Sequence, residues 1–177
     1  MEILIGSARV DERGTYTGGA RGDQKQTEKR DLKGEVSMQP FYIHKKGWYI
    51  LRAKDDKHAS ALAKAIRTAC NNKHIGYSQS DRYSIFEYGL KTKKDANCDC
   101  SSLVRKCIIE ATGKDPGDFS TLNEASCLER TGLFHRRIEY KQGIPLFNGD
   151  ILVTMSKGHT VIVAGHANKR LGDKEDV

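Results

Sequence analysis

The stretch Asn97-Cys98-Asp99-Cys100-Ser101-Ser102-Leu103-Val104 sets two of the chain's five cysteines around one aspartate, directly before an apolar run. Three chemistries are open to it: metal ligation, a disulfide, or a thiolate nucleophile. Cys98, Cys100, Cys107 and His159 form a conceivable zinc set, but C-x-C is tighter than the usual ligand gap and Cys107 points down a helix into its apolar stripe. A C-x-C disulfide is locally strained, and five cysteines leave at least one unpaired. The nucleophile reading has a mechanism. After Asp99, residues Leu103, Val104, Cys107, Ile108 and Ala111 share one helical face, and Thr112-Gly113 stops the helix. Cys100 then sits in the first turn, where unpaired N–H groups and the positive helix end lower a thiol's pKa. His159 opens an apolar run after Gly158 and is the base that completes a Cys–His pair. A helix-borne cysteine followed by a strand-borne histidine is the chain order of papain-like folds. A small buried Cys100 is the inert alternative. Cys98 precedes the helix, gains no dipole and reads as a bystander. Cys70, Cys107 and Cys127 read as core thiols, and His44, His58, His74 and His135 as surface side chains.

The elements that must position this pair are legible in part. Asp55 or Asp56 caps a helix with the stripe Ala59, Leu62, Ala63, Ile66 and Cys70, ending near Asn71-Asn72. A second helix is expected after Ser78 or Ser80, with Tyr83, Phe86 and Leu90 at helical spacing and Gly89 near its end. Residues 151–153 and 159–164 read as adjacent antiparallel strands joined by a tight turn, introduced by Asn148-Gly149-Asp150. Asp150 is expected to cap the turn before its strand. A hairpin is expected from FYIH and WYILRA flanking Lys45-Lys46-Gly47, and residues 11–34, rich in Gly and charge, read as a long surface loop. Weaker helical signals lie between the third helix and Phe147.

At 177 residues the chain fits one domain, taken as residues 1–170, with 171–177 a polar tail or the start of a linker to a further module. No apolar run reaches the length of a membrane span, and the chain is expected to be soluble. Met1 to Gly14 lacks the basic and long apolar regions of a secretory signal, which points to synthesis in the cytoplasm with mostly reduced thiols. A net charge of +7 draws the surface to polyanions, nucleic acid and anionic wall polymers alike.

Asp99-Cys100-Ser101-Ser102-Leu103-Val104 resembles the D-C-S-G/S-x-V signature of NlpC-type cysteine peptidases. Gly149-Asp150-Ile151-Leu152 and Gly158-His159-Thr160-Val161-Ile162-Val163 resemble the G-D strand and G-H strand of the same family. Gly6, Ala8, Asp11, Glu12 and Gly14, then Gly18, Gly19, Gly22, Asp23 and Gln24, then Asn71, Asn72, Ile75, Gly76, Tyr77 and Gln79, are similar to segments of a phage-derived subgroup of peptidoglycan hydrolases. The resemblance implies an α+β papain-like domain of NlpC/CHAP type, a central antiparallel sheet with the nucleophile helix packed against it. It implies a peptidase or amidase that cuts an amide bond in the peptide part of bacterial peptidoglycan. Cys100 attacks, His159 moves the proton, and backbone N–H groups at the helix start hold the oxyanion. No metal or other cofactor is required. Asn168 or His166, just past the histidine strand, or a backbone carbonyl, orients the imidazole. Asp23, Gln24, Tyr77 and Ser101 are the expected substrate contacts. A phage or prophage endolysin is implied, a monomer made in the cytoplasm and released to the wall by a holin, with no nucleic-acid or membrane partner.

Two rivals stand beside this reading. One keeps the fold and changes the role to an acyltransferase or an antibacterial toxin. The other is a basic nucleic-acid-binding module with the loop at 20–34 and the Lys91–Lys94 cluster as its footprint.

Overall fold

The computed structural model describes residues 2–18 and 34–168. Twelve elements follow one another among them: β1 (Leu4–Ala8), β2 (Val36–Pro40), β3 (Trp48–Leu51), α1 (Asp56–Cys70), β4 (Ile75–Tyr77), α2 (Ser84–Tyr88), β5 (Ala96–Cys98), α3 (Cys100–Thr112), α4 (Glu124–Arg130), β6 (Ile138–Glu139), β7 (Ile151–Thr154) and β8 (Thr160–Gly165). Six strands form an antiparallel sheet in the order β2-β1-β8-β7-β3-β6, and β4 and β5 form a separate parallel pair. The fold class is α+β, as expected.

Strand alternation divides the sheet's contacts between two cores. Leu4, Ala8, Leu51, Ile151, Val153, Ile162 and Ala164 join the core beneath the helices. Ile5, Trp48, Ile50, Leu152, Val161 and Val163 build a second core with Leu146 on the other face. α1 and α3 pack on each other and on β1 and β8. That contact places the Cys100 helix against the sheet's central strand.

α1 follows its sequence signals: Asp55 caps it by accepting from the Lys57 N–H at 2.8 Å, and Ala59, Leu62, Ala63, Ile66 and Cys70 are buried. α3 begins at Cys100 as expected and ends on Gly113, whose φ of 74° supplies the left-handed C-cap. β7 and β8 are the adjacent antiparallel pair read from the sequence. Two expectations change. Residues 41–44 do not form a hairpin with β3; β3 pairs with β7 and β6, while β2 ends at Pro40 and pairs with β1. Proline ends the ladder there, and the turn at Gly47 survives as a Gly47 N–H to His44 carbonyl bond of 2.8 Å. The second helix is a single turn that buries Ile85, with Tyr83 exposed at its N-cap. α4 occupies part of the segment with weak helical signals.

Candidate active site

Asp99 fixes where α3 starts. Its Oδ1 accepts from the Ser102 N–H at 2.9 Å, and the Ser102 hydroxyl accepts from the Asp99 N–H at 2.8 Å, a reciprocal capping box. Arg82 holds the other carboxylate oxygen at 2.9 Å, and its guanidinium also reaches the Ser101 hydroxyl, the Phe119 carbonyl and Asp118. Ser101 is therefore buried and engaged with Arg82, not presented as the expected substrate contact. The side chain that follows Asp99 into the first turn is Cys100, which is half-buried and lines a cleft of about 440 Å³ together with His159, Tyr77 and Gln79.

The backbone N–H groups of Ser101 and of Thr160, the first residue of β8, lie by the Cys100 sulfur and act to lower its pKa. This sets the start of α3 beside the residue next to His159. Even so, burial pushes the Cys100 thiol up to about 12, and the Asp99 and Glu124 carboxyls add to that direction. The expected lowering by the helix end is not realised. Asp99 already occupies that end and its negative charge lies beside the sulfur, so the field is spent on the cap.

His159 is half-buried, and burial, assisted by His44 and Arg9, brings its imidazole down to about 4. Both members of the pair are accordingly neutral at pH 7. No hydrogen bond joins them among the described residues. Instead His159 Nε2 lies 3.2 Å from the Ser7 hydroxyl on β1. With Gly6 opposite Ile162, Ser7 falls opposite Val161, and the Ser7–His159 contact is a diagonal one across adjacent strands. The His159 backbone is held by Thr154, whose hydroxyl accepts its N–H at 3.0 Å.

The segment leading into α4 clamps the same strand start from both sides of His159. The Thr121 hydroxyl accepts from the Gly158 N–H at 3.0 Å, and Glu124 Oε2 accepts from the Thr160 hydroxyl at 2.5 Å. Glu124 is fully buried, and its Oε1 has no hydrogen-bond partner among the described residues. Burial pushes its carboxyl up to about 8, the Thr160 bond opposes this and Asp99 adds to it. Between the unfolded value of 4.5 and about 8 the folded chain keeps a proton that the unfolded chain has released, so stability falls as pH rises through that window. Glu124→Gln is expected to flatten that slope and to raise the melting temperature above that of the parent at pH 8.5 but not at pH 4.5. Thermal denaturation across the range measures it, and a parental slope in the variant contradicts the assignment.

Tyr77 stands in the cleft, as the sequence suggested. Its backbone N–H donates to buried Glu35 at 2.6 Å, its hydroxyl donates to the Tyr16 carbonyl at 2.9 Å, and Gln79 donates to that hydroxyl at 2.8 Å. Burial pushes the phenol up to about 12. His44, read from sequence as a surface residue, also lines the cleft and stacks edge-on against Trp48. The two expected orienters lie elsewhere. Asn168 donates to the Leu146 carbonyl at 3.0 Å and His166, at a φ of 59°, approaches the Glu2 carbonyl. Both follow the far end of β8, about 20 Å of strand from His159. The histidine's polar neighbour comes from another strand, where only pairing register could have pointed to it. Asp23 and Gln24 lie outside the described residues.

The remaining cysteines are buried and in no disulfide, Cys98 with its sulfur 3.6 Å from the Gly76 carbonyl. Asp11 accepts from the Thr15 hydroxyl and from the N–H groups of Thr15 and Arg13, which holds its carboxyl well below the usual range. Asp150 caps its turn by accepting from the Phe147 N–H and takes a bidentate bond from Arg52, as a structural rather than a chemical residue.

A family model described as an endolysin-like domain matches residues 5–170. Neither the curated proteins nor the solved structures contain a match to the chain.

Proposed function

The chain belongs to the endolysin-like domain family, a phage-type cell-wall lytic class with peptidoglycan as substrate, and from that premise we propose that it is a cysteine amidase or endopeptidase acting on the peptide part of the wall. The observation that carries this reading is the convergence of Cys100, at the first turn of α3, and His159, at the entry to β8, on one cleft. α3 packs on β8, which brings the Thr160 N–H beside the sulfur.

The chemistry starts from a neutral thiol and a neutral imidazole. Substrate entering the cleft excludes water, and His159 turns to take the Cys100 proton as sulfur attacks the amide carbonyl. The imidazolium then protonates the departing amine, and a water attacks the acyl-enzyme with the same histidine as base. Of the first-turn N–H groups, that of Ser102 is engaged with Asp99 and that of Ser101 lies by the sulfur. The Cys100 N–H is the one left for the oxyanion. Such a donor contributes on the order of 3 kcal/mol to the barrier.

Ser7 is the positioning residue for His159 in this scheme. When Ser7 accepts from Nε2–H, the imidazole is fixed as the tautomer whose Nδ1 is the free base. Ser7→Ala is expected to lower kcat by about 10- to 100-fold with KM near the parental value. Steady-state kinetics on a soluble muropeptide measure this, and a parental kcat removes Ser7 from the mechanism.

Mass spectrometry of digested peptidoglycan tests the class of reaction. New amino termini in the stem or cross-bridge identify an endopeptidase, and free lactyl groups identify an amidase. Intact muropeptides after exhaustive incubation with walls of several chemotypes overturn the hydrolase reading. Acyl transfer to an added amine in place of water supports the acyltransferase alternative.

A further inference from the structure

A second concavity, about 820 Å³ in volume, lies away from the cleft and is built from cations. Lys64 and Arg67 on α1, Lys73 after it, and Lys91 and Lys93 before β5 line it, and no Asp or Glu does. Outside the groove, Arg13, Arg52, Arg82, Arg105, Lys106 and Arg137 each pair with a carboxylate. Lys64, Lys73, Lys91 and Lys93 are exposed and have no carboxylate partner among the described residues. Their backbone is nevertheless fixed. The Asn72 amide donates to the Leu90 and Thr92 carbonyls at 2.9 and 3.0 Å, its oxygen accepts from the His74 N–H, and the Thr92 hydroxyl bridges the Lys94 N–H and carbonyl. A groove of like charges held on a rigid floor carries a self-repulsion that a polyanion relieves.

We propose that this groove binds the phosphodiester backbone of an anionic wall polymer and so holds the domain on its substrate. The occupant is argued from charge and position. A linear polymer with one negative charge per repeat matches cations spread along an open trough. The lining offers no Phe, Tyr or Trp face on which nucleic-acid bases would stack, and its one imidazole, His74, is held by Asp95 at 3.0 Å. The groove and the catalytic cleft flank the same parallel pair: Lys73 and Lys93 precede β4 and β5, while Tyr77 and Cys100 lie at or beyond their ends. Three residues of strand, about 10 Å, separate polymer groove from peptide cleft, a spacing suited to two components of one wall. This inference rests on the wall-hydrolase reading for the polymer's identity, not for the binding itself.

The test uses the Cys100→Ala chain, which binds without cutting, with and without Lys64→Gln, Lys73→Gln, Lys91→Gln and Lys93→Gln combined. Arg67 is left in place because its guanidinium holds the Ala164 carbonyl of β8. Titration with poly(glycerol phosphate) and with a 20-base-pair DNA duplex is read by fluorescence anisotropy at two salt concentrations. Neutralising the four lysines is expected to weaken polymer binding at least tenfold and to reduce the slope of log affinity against log salt by about 3. The same four changes in the Cys100 parent leave cleavage of a soluble muropeptide unaltered, which separates this site from the catalytic proposal. Equal polymer affinity with and without the lysines overturns the inference, and DNA binding tenfold tighter than polymer binding reassigns the groove to nucleic acid.

Discussion

Cys100→Ala is expected to reduce peptidoglycan hydrolysis by about 10⁴-fold or more, the scale on which removal of a covalent nucleophile acts. Cys98→Ala, two residues away, is expected to stay within about threefold of the parental rate. The contrast follows from where each sulfur lies. Cys100 lines the cleft beside the entry to β8, whereas Cys98 is fully buried on β5 with its sulfur toward the Gly76 carbonyl. Removing the Cys98 sulfur leaves a small void and costs stability of about 1 kcal/mol, visible as a lower melting temperature and not as a lost rate. Because the resting pair is neutral, iodoacetamide is expected to label Cys100 slowly at pH 7. Rates measured on purified walls with both variants decide the matter. Parental activity in Cys100→Ala refutes the nucleophile, and equal losses in both variants indicate that damage to α3, not chemistry, is responsible.

Gly149→Ala is expected to be the most destabilising single methyl added to the molecule. A Cβ at this position lies 2.1 Å from the Ala59 carbonyl oxygen and 2.6 Å from its carbon, backbone of α1 that cannot rotate away. The residue also adopts a φ of 90°, a conformation that L side chains resist. Overpacking against backbone and the conformational cost together come to about 3 to 6 kcal/mol, a large share of the 5 to 15 kcal/mol that holds a typical domain together. Gly113→Ala is the control. It carries a similar φ of 74° but meets nothing within 4 Å, so it isolates the conformational cost at about 1 kcal/mol. Chemical denaturation of the two variants measures the difference. Equal midpoints remove the claim that α1 and the β7 entry need a missing side chain between them.

The same glycine shows how function-like motifs and fold are entangled in this chain. Gly149-Asp150 looks like part of a catalytic signature in sequence. In the structure Gly149 admits the α1 backbone, and Asp150 turns the chain into β7 and pairs with Arg52. Neither touches the cleft lining. Asp99 has a comparable role, capping α3 so that the next side chain is the sulfur.

Local sequence determined what local physics controls. Capping residues and apolar periodicity set α1 and α3 almost to the residue, and two short apolar runs with a Ser-Lys-Gly turn between them set β7 and β8, since each signal acts within a few residues of chain. Cys100 and His159 were legible for that reason: one follows a cap and the other opens a strand. What the sequence could not carry was anything decided by register or by burial. β1 lies between β2 and β8, so Ser7 becomes the neighbour of His159 across 152 residues, while His166 and Asn168, closer in the chain, are carried to the far end of the strand. Glu124 reaches Thr160 only because α4 packs beside the β8 entry, and its burial favours the neutral form of a glutamate that is usually charged at pH 7. The protonation state of the Cys100–His159 pair is likewise tertiary: a helix end raises the thiolate fraction only until the folded chain brings up a carboxylate and excludes water, and here it does both.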